Sequence, residues 1–158
     1  MMVAAFDYVE MKVPAKPEYV GVVRLTISGI SSRLGFSYEV IEDIKIATSE
    51  AVTNAVQHAY KKKEAGEVVV GFALYNDRLE VMVSDSGKSF DMKKTRRETG
   101  PYSEKENVEF MREGGLGLYL MESLMDEVNV QLNQGVSVFM TKYLEGEQVE
   151  LNAKQIST

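Results

Sequence analysis

Three short clusters in this chain hold residue types that can accept a proton, ligate a cation or face an anion. Within SEAVTNAVQHA, Glu50, Asn54 and His58 recur at four-residue steps. On a helix that spacing sets a carboxylate beside a carboxamide, about one turn apart. A solvated polar stripe has the same pattern, yet Ala47, Ala51 and Ala55 leave the adjoining backbone open to something bulky. His58, taken alone, reads as a hydrogen-bonded residue near a helix end rather than as a ligand. In VSDSGKSF (83–90), Asp85 closes an apolar strand and Gly87 follows two residues later. An aspartate there can accept a hydrogen bond from an exocyclic amine while Gly87 leaves room for a ring; a plain turn uses the same residues. In EGGLGLYL (113–120), Gly114, Gly115 and Gly117 precede an apolar helical pattern, so backbone N–H groups and a helix dipole can face phosphates. The pattern is neither a P-loop nor a dinucleotide-binding glycine fingerprint.

The elements that must position these clusters are legible from periodicity. Residues 7–13 alternate loosely and predict a strand stopped by Pro14. From Pro17 to Leu34, Val20, Val23, Ile27, Ile30 and Leu34 recur at helical steps, and Gly35 ends the helix. Val22, Leu25 and Gly29 form a second apolar edge on it: either the helix is buried on two sides, the reading we favour, or another chain covers the edge. A second helix from Ser37–Glu39 to about Lys62 buries Ile41, Ile44, Val52, Ala55, Val56 and Ala59. It turns Asp43, Glu50, Asn54, Gln57 and Lys61 the other way. Strands follow at 67–75 and 78–84 around Asn76-Asp77, then a helix at 115–126, then strands at 127–133 and 136–143 around Gln134-Gly135. Residues 86–113 hold seven positive and six negative side chains with few apolar ones, a length and polarity that suit either a functional lid or disorder.

Composition narrows the chemistry further. The 158 residues fit one domain, and 44% hydrophobic with 27% charged residues suffices for a packed core. A formal net charge of −6 argues against a protein that mainly grips nucleic acid. With no cysteine and one histidine, thiolate catalysis, cysteine-ligated metals, multi-histidine zinc and Ser-His-Asp hydrolysis are set aside. No apolar run approaches the roughly 20 residues of a membrane span, and the N-terminus lacks a signal-peptide pattern. The expectation is a soluble cytoplasmic protein in a reducing compartment.

Taken in order, Glu-x-x-x-Asn on a helix, Asp-x-Gly after a strand, a long polar segment and Gly-x-Gly opening a helix resemble the GHKL ATPase superfamily. Residues 50–58, 85–87 and 114–117 correspond to its N, G1 and G2 boxes. SEAVTNAVQHAY, GPYSEKENVEF, EGGLGLYLMESLMDEV and MTKYLEGE are similar, more narrowly, to the family of anti-sigma-B factors that are also serine-protein kinases. The resemblance implies an α/β two-layer sandwich, the Bergerat ATP-binding fold, with helices on one face of a mixed, mostly antiparallel sheet. It implies one kinase domain over 1–145 with a lid at about 86–113, then a polar tail at 146–158.

The same resemblance assigns roles residue by residue. Glu50 corresponds to the general base, and Asn54 to the Mg²⁺ ligand beside the ATP phosphates. Asp85 corresponds to the reader of the adenine amine, with Gly87 beside the ring and Thr141 as a further adenine contact. Gly114, Gly115 and Gly117 would present N–H groups to phosphate. Some relatives carry a basic residue immediately before the glycines; here Glu113 stands there and Arg112 one residue earlier, making Arg112 the first candidate for the γ-phosphate, ahead of Lys93, Lys94, Arg96 and Arg97. Implied partners are a stress-response sigma factor of the sigma-B type, an anti-anti-sigma protein phosphorylated on serine, and a second copy of the chain. Arg24 is the candidate sigma-factor contact, with a solvated helix arginine as its plain alternative. A pure binding module, in which ATP only shapes a surface, is the competing reading; Glu50 argues against it, because binding alone requires no base.

Overall fold

The computed structural model describes residues 4–61, 66–86, 90, 116–132 and 135–146. Strand β1 (Asp7–Pro14) keeps its terminal proline because it is an edge strand. Pro17 opens a 3-10 turn (Pro17–Tyr19) that leads into helix α1 (Val20–Leu34), so the helix expected from Pro17 is 3-10 in its first three residues. Gly35 ends α1 in the left-handed region at φ 86°, its N–H turned back to the carbonyls of Ser31 and Ser32. Ser37 then caps helix α2 (Tyr38–Lys61), accepting the Val40 N–H at 3.3 Å. With 24 residues α2 is about 36 Å long.

Strands β2 (Glu67–Leu74) and β3 (Arg78–Ser84), helix α3 (Leu116–Leu124), and strands β4 (Glu127–Leu132) and β5 (Val136–Tyr143) complete the described chain. The sheet order is β1-β2-β3-β5-β4, and all four pairings are antiparallel. Helix α2 packs between α1 and α3 and lies over β2, β3 and β5. The main core is the layer between them: Ile44, Ala51, Val52 and Val56 of α2 meet Val68, Val70, Phe72, Val81, Val83, Val138 and Met140 of the sheet, with Leu118 and Met121 of α3.

That core explains why β2 reads as an unbroken apolar run. Its even-numbered residues face the helices, while Ala73 on the other side joins Tyr75 and Met82 in a small second cluster with Ala5, Phe90 and Phe139. Phe90 is held there by its N–H on Glu10 Oε1 (3.1 Å) and by edge contact with the Phe139 ring. Partial burial raises the Tyr8 phenol beside it above the usual tyrosine range, and its hydrogen bond to Glu10 adds to the shift.

Helix α1 departs from the favoured expectation. Val23, Ile27, Ser31 and Leu34 are buried, but Val22 is 46% and Leu25 78% exposed, and among the described residues nothing would come within 4 Å of a Cβ at Gly29. The second apolar edge is therefore not buried within the described chain. The angular offset is the reason: Val22 and Leu25 lie about 100° or more from the centre of the buried stripe, beyond the reach of α2 or the sheet.

Candidate nucleotide site

Helix α2 sets out the site as a line of three side chains. Glu50 and Asn54 are half-buried on the side of α2 that meets α3, and His58 continues the row one turn further on. The axial distance from Glu50 to His58 is about 12 Å, so the two ends of the row meet different neighbours.

At the Glu50 end the neighbour is α3. Gly117 stands in its first turn, and a Cβ there would sit 2.9 Å from Asn54 Nδ2 and 3.2 Å from Glu50 Oε2. Only glycine lets the start of α3 approach the carboxylate and the carboxamide so closely. The Asn54 Nδ2 is buried and has no hydrogen-bond partner among the described residues. A buried amide left incomplete beside a carboxylate and a helix N-terminus is an arrangement that a polar ligand would complete.

At the His58 end the neighbour is the end of β3. Asp85 is almost wholly buried, its side chain 3% exposed, and both carboxylate oxygens are engaged. Oδ2 pairs with His58 Nδ1, and Oδ1 accepts the Val136 N–H at 2.8 Å. The Asp85 N–H in turn donates to the Val136 carbonyl at 3.2 Å, so the aspartate ties the end of β3 to the start of β5. Gly135 makes the approach possible twice over: its φ of 125° suits glycine, and any Cβ there would collide with Asp85 Oδ1. Behind these strand ends, Ser84 Oγ contacts Ser86 Oγ (2.9 Å) and Ser137 Oγ (3.2 Å).

Glu50, Asn54, Asp85 and Gly117 thus lie on one side of the sheet, the side covered by helices. Thr141 does not join them. On β5, Val136, Val138 and Met140 enter the main core, whereas Phe139 enters the second cluster; Thr141 shares the parity of Phe139. It pairs with Glu80 and Glu127, about 16 Å along the strand from Val136. The expected adenine contact is displaced by strand alternation, which sends every second residue to the opposite face. Arg24 lies on α1, away from this row, with its Nε on Ser49 Oγ at 3.1 Å. Gly87, Gly114, Gly115 and Arg112 lie outside the described residues, as do Lys93, Lys94, Arg96, Arg97, nearly all of the 86–113 segment and the tail beyond Gly146.

Two features escaped the sequence reading. His58 is, as expected, a hydrogen-bonded residue near the end of α2, but nothing in the sequence marked Asp85 as its partner. The Gly135–Val136 cradle carried only a turn signal, because its function is to receive a side chain 50 residues earlier. Among the described residues no group of three or more histidine, aspartate or glutamate side chains gathers as a metal cage. A divalent cation here would rest on the Asn54 amide, ligand oxygens and water, a combination that suits Mg²⁺.

Comparison with known proteins agrees with this geometry. Residues 13–142 match the family model of the histidine kinase-like ATPase domain. The chain is 57% identical to the serine-protein kinase RsbW of Oceanobacillus iheyensis, over 97% of each chain. It is 60% identical to the Bacillus subtilis protein of that name, over 91% of this chain and 90% of the relative. With the Listeria monocytogenes protein it shares 56%, over 99% and 100%. In fold it is similar to the RsbU and RsbW domains of a Mycobacterium tuberculosis protein (TM-score 0.60, 22% identity, 86% of this chain and 31% of that one). It is also similar to a chain of the SiaB-SiaC complex from Pseudomonas aeruginosa (TM-score 0.56, 13% identity, 86% and 88%). A helix-covered antiparallel sheet, an incomplete Glu50–Asn54–Gly117 corner and this degree of identity over nearly the whole length place the chain in the RsbW family of serine-protein kinases, built on the histidine kinase-like ATPase domain.

Proposed function

We propose that this serine-protein kinase binds Mg-ATP along the polar row of α2, with the phosphates at Glu50, Asn54 and Gly117 and the adenine at Asp85. Its protein substrate would be an anti-anti-sigma factor, and in the other half of its cycle it would hold a sigma-B type sigma factor inactive in the cytoplasm. The single observation that carries this reading is the corner where Gly117 brings α3 against the Glu50–Asn54 pair while leaving the Asn54 amide unsatisfied.

The chemistry asks the protein mainly for position and charge. Asn54 would hold Mg²⁺ through its amide oxygen. When bound, that ion would neutralise charge on the phosphate oxygens. Glu50, beside it, would accept the proton of the partner's serine hydroxyl as that oxygen attacks the γ-phosphorus and ADP departs. Gly117, with Gly114 and Gly115, would present backbone N–H groups to the phosphates. Arg112 would offer positive charge to the γ-phosphate, and Gly87 would flank the adenine ring. Residues 1–145 act as one catalytic unit. The product phosphoserine carries about −1.5 to −2 charge, which a chain of net charge −6 repels, so the modified partner leaves and frees the kinase for the sigma factor.

Partner contacts are assigned to α1. Val22, Leu25 and Gly29 present an uncovered apolar edge that suits a second copy of the chain. Arg24, tethered among the described residues to Ser49 through Nε, offers its remaining donors to a sigma factor.

Incubation with Mg-ATP and an anti-anti-sigma protein from the same genome, read by intact-mass spectrometry, tests the proposal. A gain of one phosphate on the partner, lost in Glu50→Gln, is the expected result. ATP binding by calorimetry with no transfer to any such partner would favour the pure binding module instead.

A further inference from the structure

We infer that His58 is a positioning residue of the nucleotide site: its Nδ1–H, working against the Val136 N–H, locks the Asp85 carboxylate in the plane that selects a base bearing an exocyclic amine. The inference rests on the reading that Asp85 receives the adenine amine, and it explains what makes that aspartate selective.

The argument begins with the freedom of an aspartate. Rotation about its Cβ–Cγ bond is broad and roughly two-fold, so one hydrogen bond does not fix the carboxylate plane. Val136 N–H anchors Oδ1 alone. The partner that removes the remaining freedom is His58, which meets Oδ2 from a different layer of the molecule. A carboxylate only accepts, so the shared proton belongs to His58 Nδ1, which sets the tautomer. Two of roughly four lone-pair positions are then occupied, and those that remain are aimed by two rigid elements, β5 and α2. Gly135 lacks the Cβ that would otherwise push Oδ1 out of this plane.

The placement on α2 adds a second consequence. Glu50, Asn54 and His58 belong to one helix face, so the element that aims the phosphate-facing groups also aims the base-facing carboxylate. A carboxylate free to rotate would still accept a hydrogen bond from water or from an amine, but it would lose the advantage of adenine over a base with a carbonyl at the same position. Sites built to satisfy a specific donor reject analogues lacking it far better than apolar pockets do.

The test compares ATP with inosine triphosphate, which carries an oxygen where adenine carries the exocyclic amine. Calorimetry on the full chain would give both dissociation constants for the unmodified protein, His58→Ala, His58→Asn and Asp85→Asn, with thermal melting alongside. The asparagine amide places an N–H near the former Nδ1 and should restore the lock. The expected result is that His58→Ala lowers the preference for ATP about tenfold, mostly through weaker ATP binding. His58→Asn should recover it to within about threefold. Equal weakening of both nucleotides in His58→Ala, with no recovery in His58→Asn, would reduce His58 to a structural tie and overturn the inference. An unchanged preference in His58→Ala beside a lost one in Asp85→Asn would overturn it while leaving the role of Asp85 standing. An unchanged preference in Asp85→Asn would remove that role, and the inference with it.

Discussion

The two ends of the polar face of α2 are built in opposite ways. At the His58 end the Asp85 side chain is buried and fully engaged: both carboxylate oxygens accept, and the backbone N–H donates to Val136. At the Glu50 end, one turn before Asn54, the Asn54 amide nitrogen is buried without a partner among the described residues, and the missing Cβ of Gly117 lets α3 come close against it. The difference teaches where rigidity is needed. On the proposed assignment, discrimination between bases requires acceptors fixed in advance, whereas phosphate, cation and an incoming hydroxyl would bring their own donors and oxygens and complete a corner left unfinished.

The largest effect that sharpens this contrast is expected from Glu50→Gln. Loss of a general base typically lowers rate ~10²–10⁴-fold, while ATP and sigma-factor affinities should stay unchanged by calorimetry. A loss of transfer below about tenfold would remove the assigned role. At the opposite end, Asp85→Asn should weaken ATP binding by about ten- to a hundredfold, since an amide presents a donor where the base also donates. Unaltered affinity in the same assay would detach Asp85 from the base.

Gly117→Ala breaks the comparison in a more selective way. Alanine favours a helix over glycine by about 1 kcal/mol, a gain that the crowding of the buried Asn54 amide offsets, so the melting temperature should change little. The added methyl presses on Asn54 and Glu50, and phosphotransfer should fall about tenfold. If both quantities were unchanged, the close approach of α3 would have no catalytic meaning. Gly135→Ala should do the converse, costing about 1–3 kcal/mol through strain at positive φ and crowding of Asp85. Chemical denaturation would read the first effect, ATP titration the second.

The smallest expected effect lies outside the site, on Tyr8. Its folded-state pKa is raised by burial and by Glu10, so the protonated phenol is the form that folding favours. The stability it contributes is full below the unfolded value of about 10 and is lost as pH rises through the higher folded value. Alkaline phenolate titration should show Tyr8→Phe losing a late-ionising group; identical late phases would contradict the assignment.

The order of secondary elements was readable because each buries one face against one layer. The period of α2, the strands at 67–75 and 78–84, and the strands on either side of the Gly135 turn all reappear within a residue or two, and α1 begins three residues after Pro17. The stop of α1 at Gly35 and the start of α2 at Ser37 follow from local chemistry alone. The candidate site was legible only in part. Glu50 and Asn54 declare themselves by helical spacing, and their approach to Gly117 could be guessed from box order but not measured. Thr141 illustrates the limit in one direction: a residue four places from Ser137 along β5 has the right type but the wrong end and the wrong face. The α1 edge illustrates it in another, since periodicity marks Val22 and Leu25 as apolar without saying whether their own chain reaches them.

Amino-acid types and spacing alone determined the order of helices and strands, the polar row on α2 and the presence of a glycine-opened helix, because those features are set by contacts within one or two helical turns or by alternation along one strand. Tertiary structure decided the pairing of His58 with Asp85, the seat of that carboxylate on Val136, and the exposure of the α1 edge. Each of these joins residues 27 or more positions apart, or leaves a face uncovered. Contacts of that kind are fixed by how the helical layer lies across the sheet, a geometry that no local period encodes.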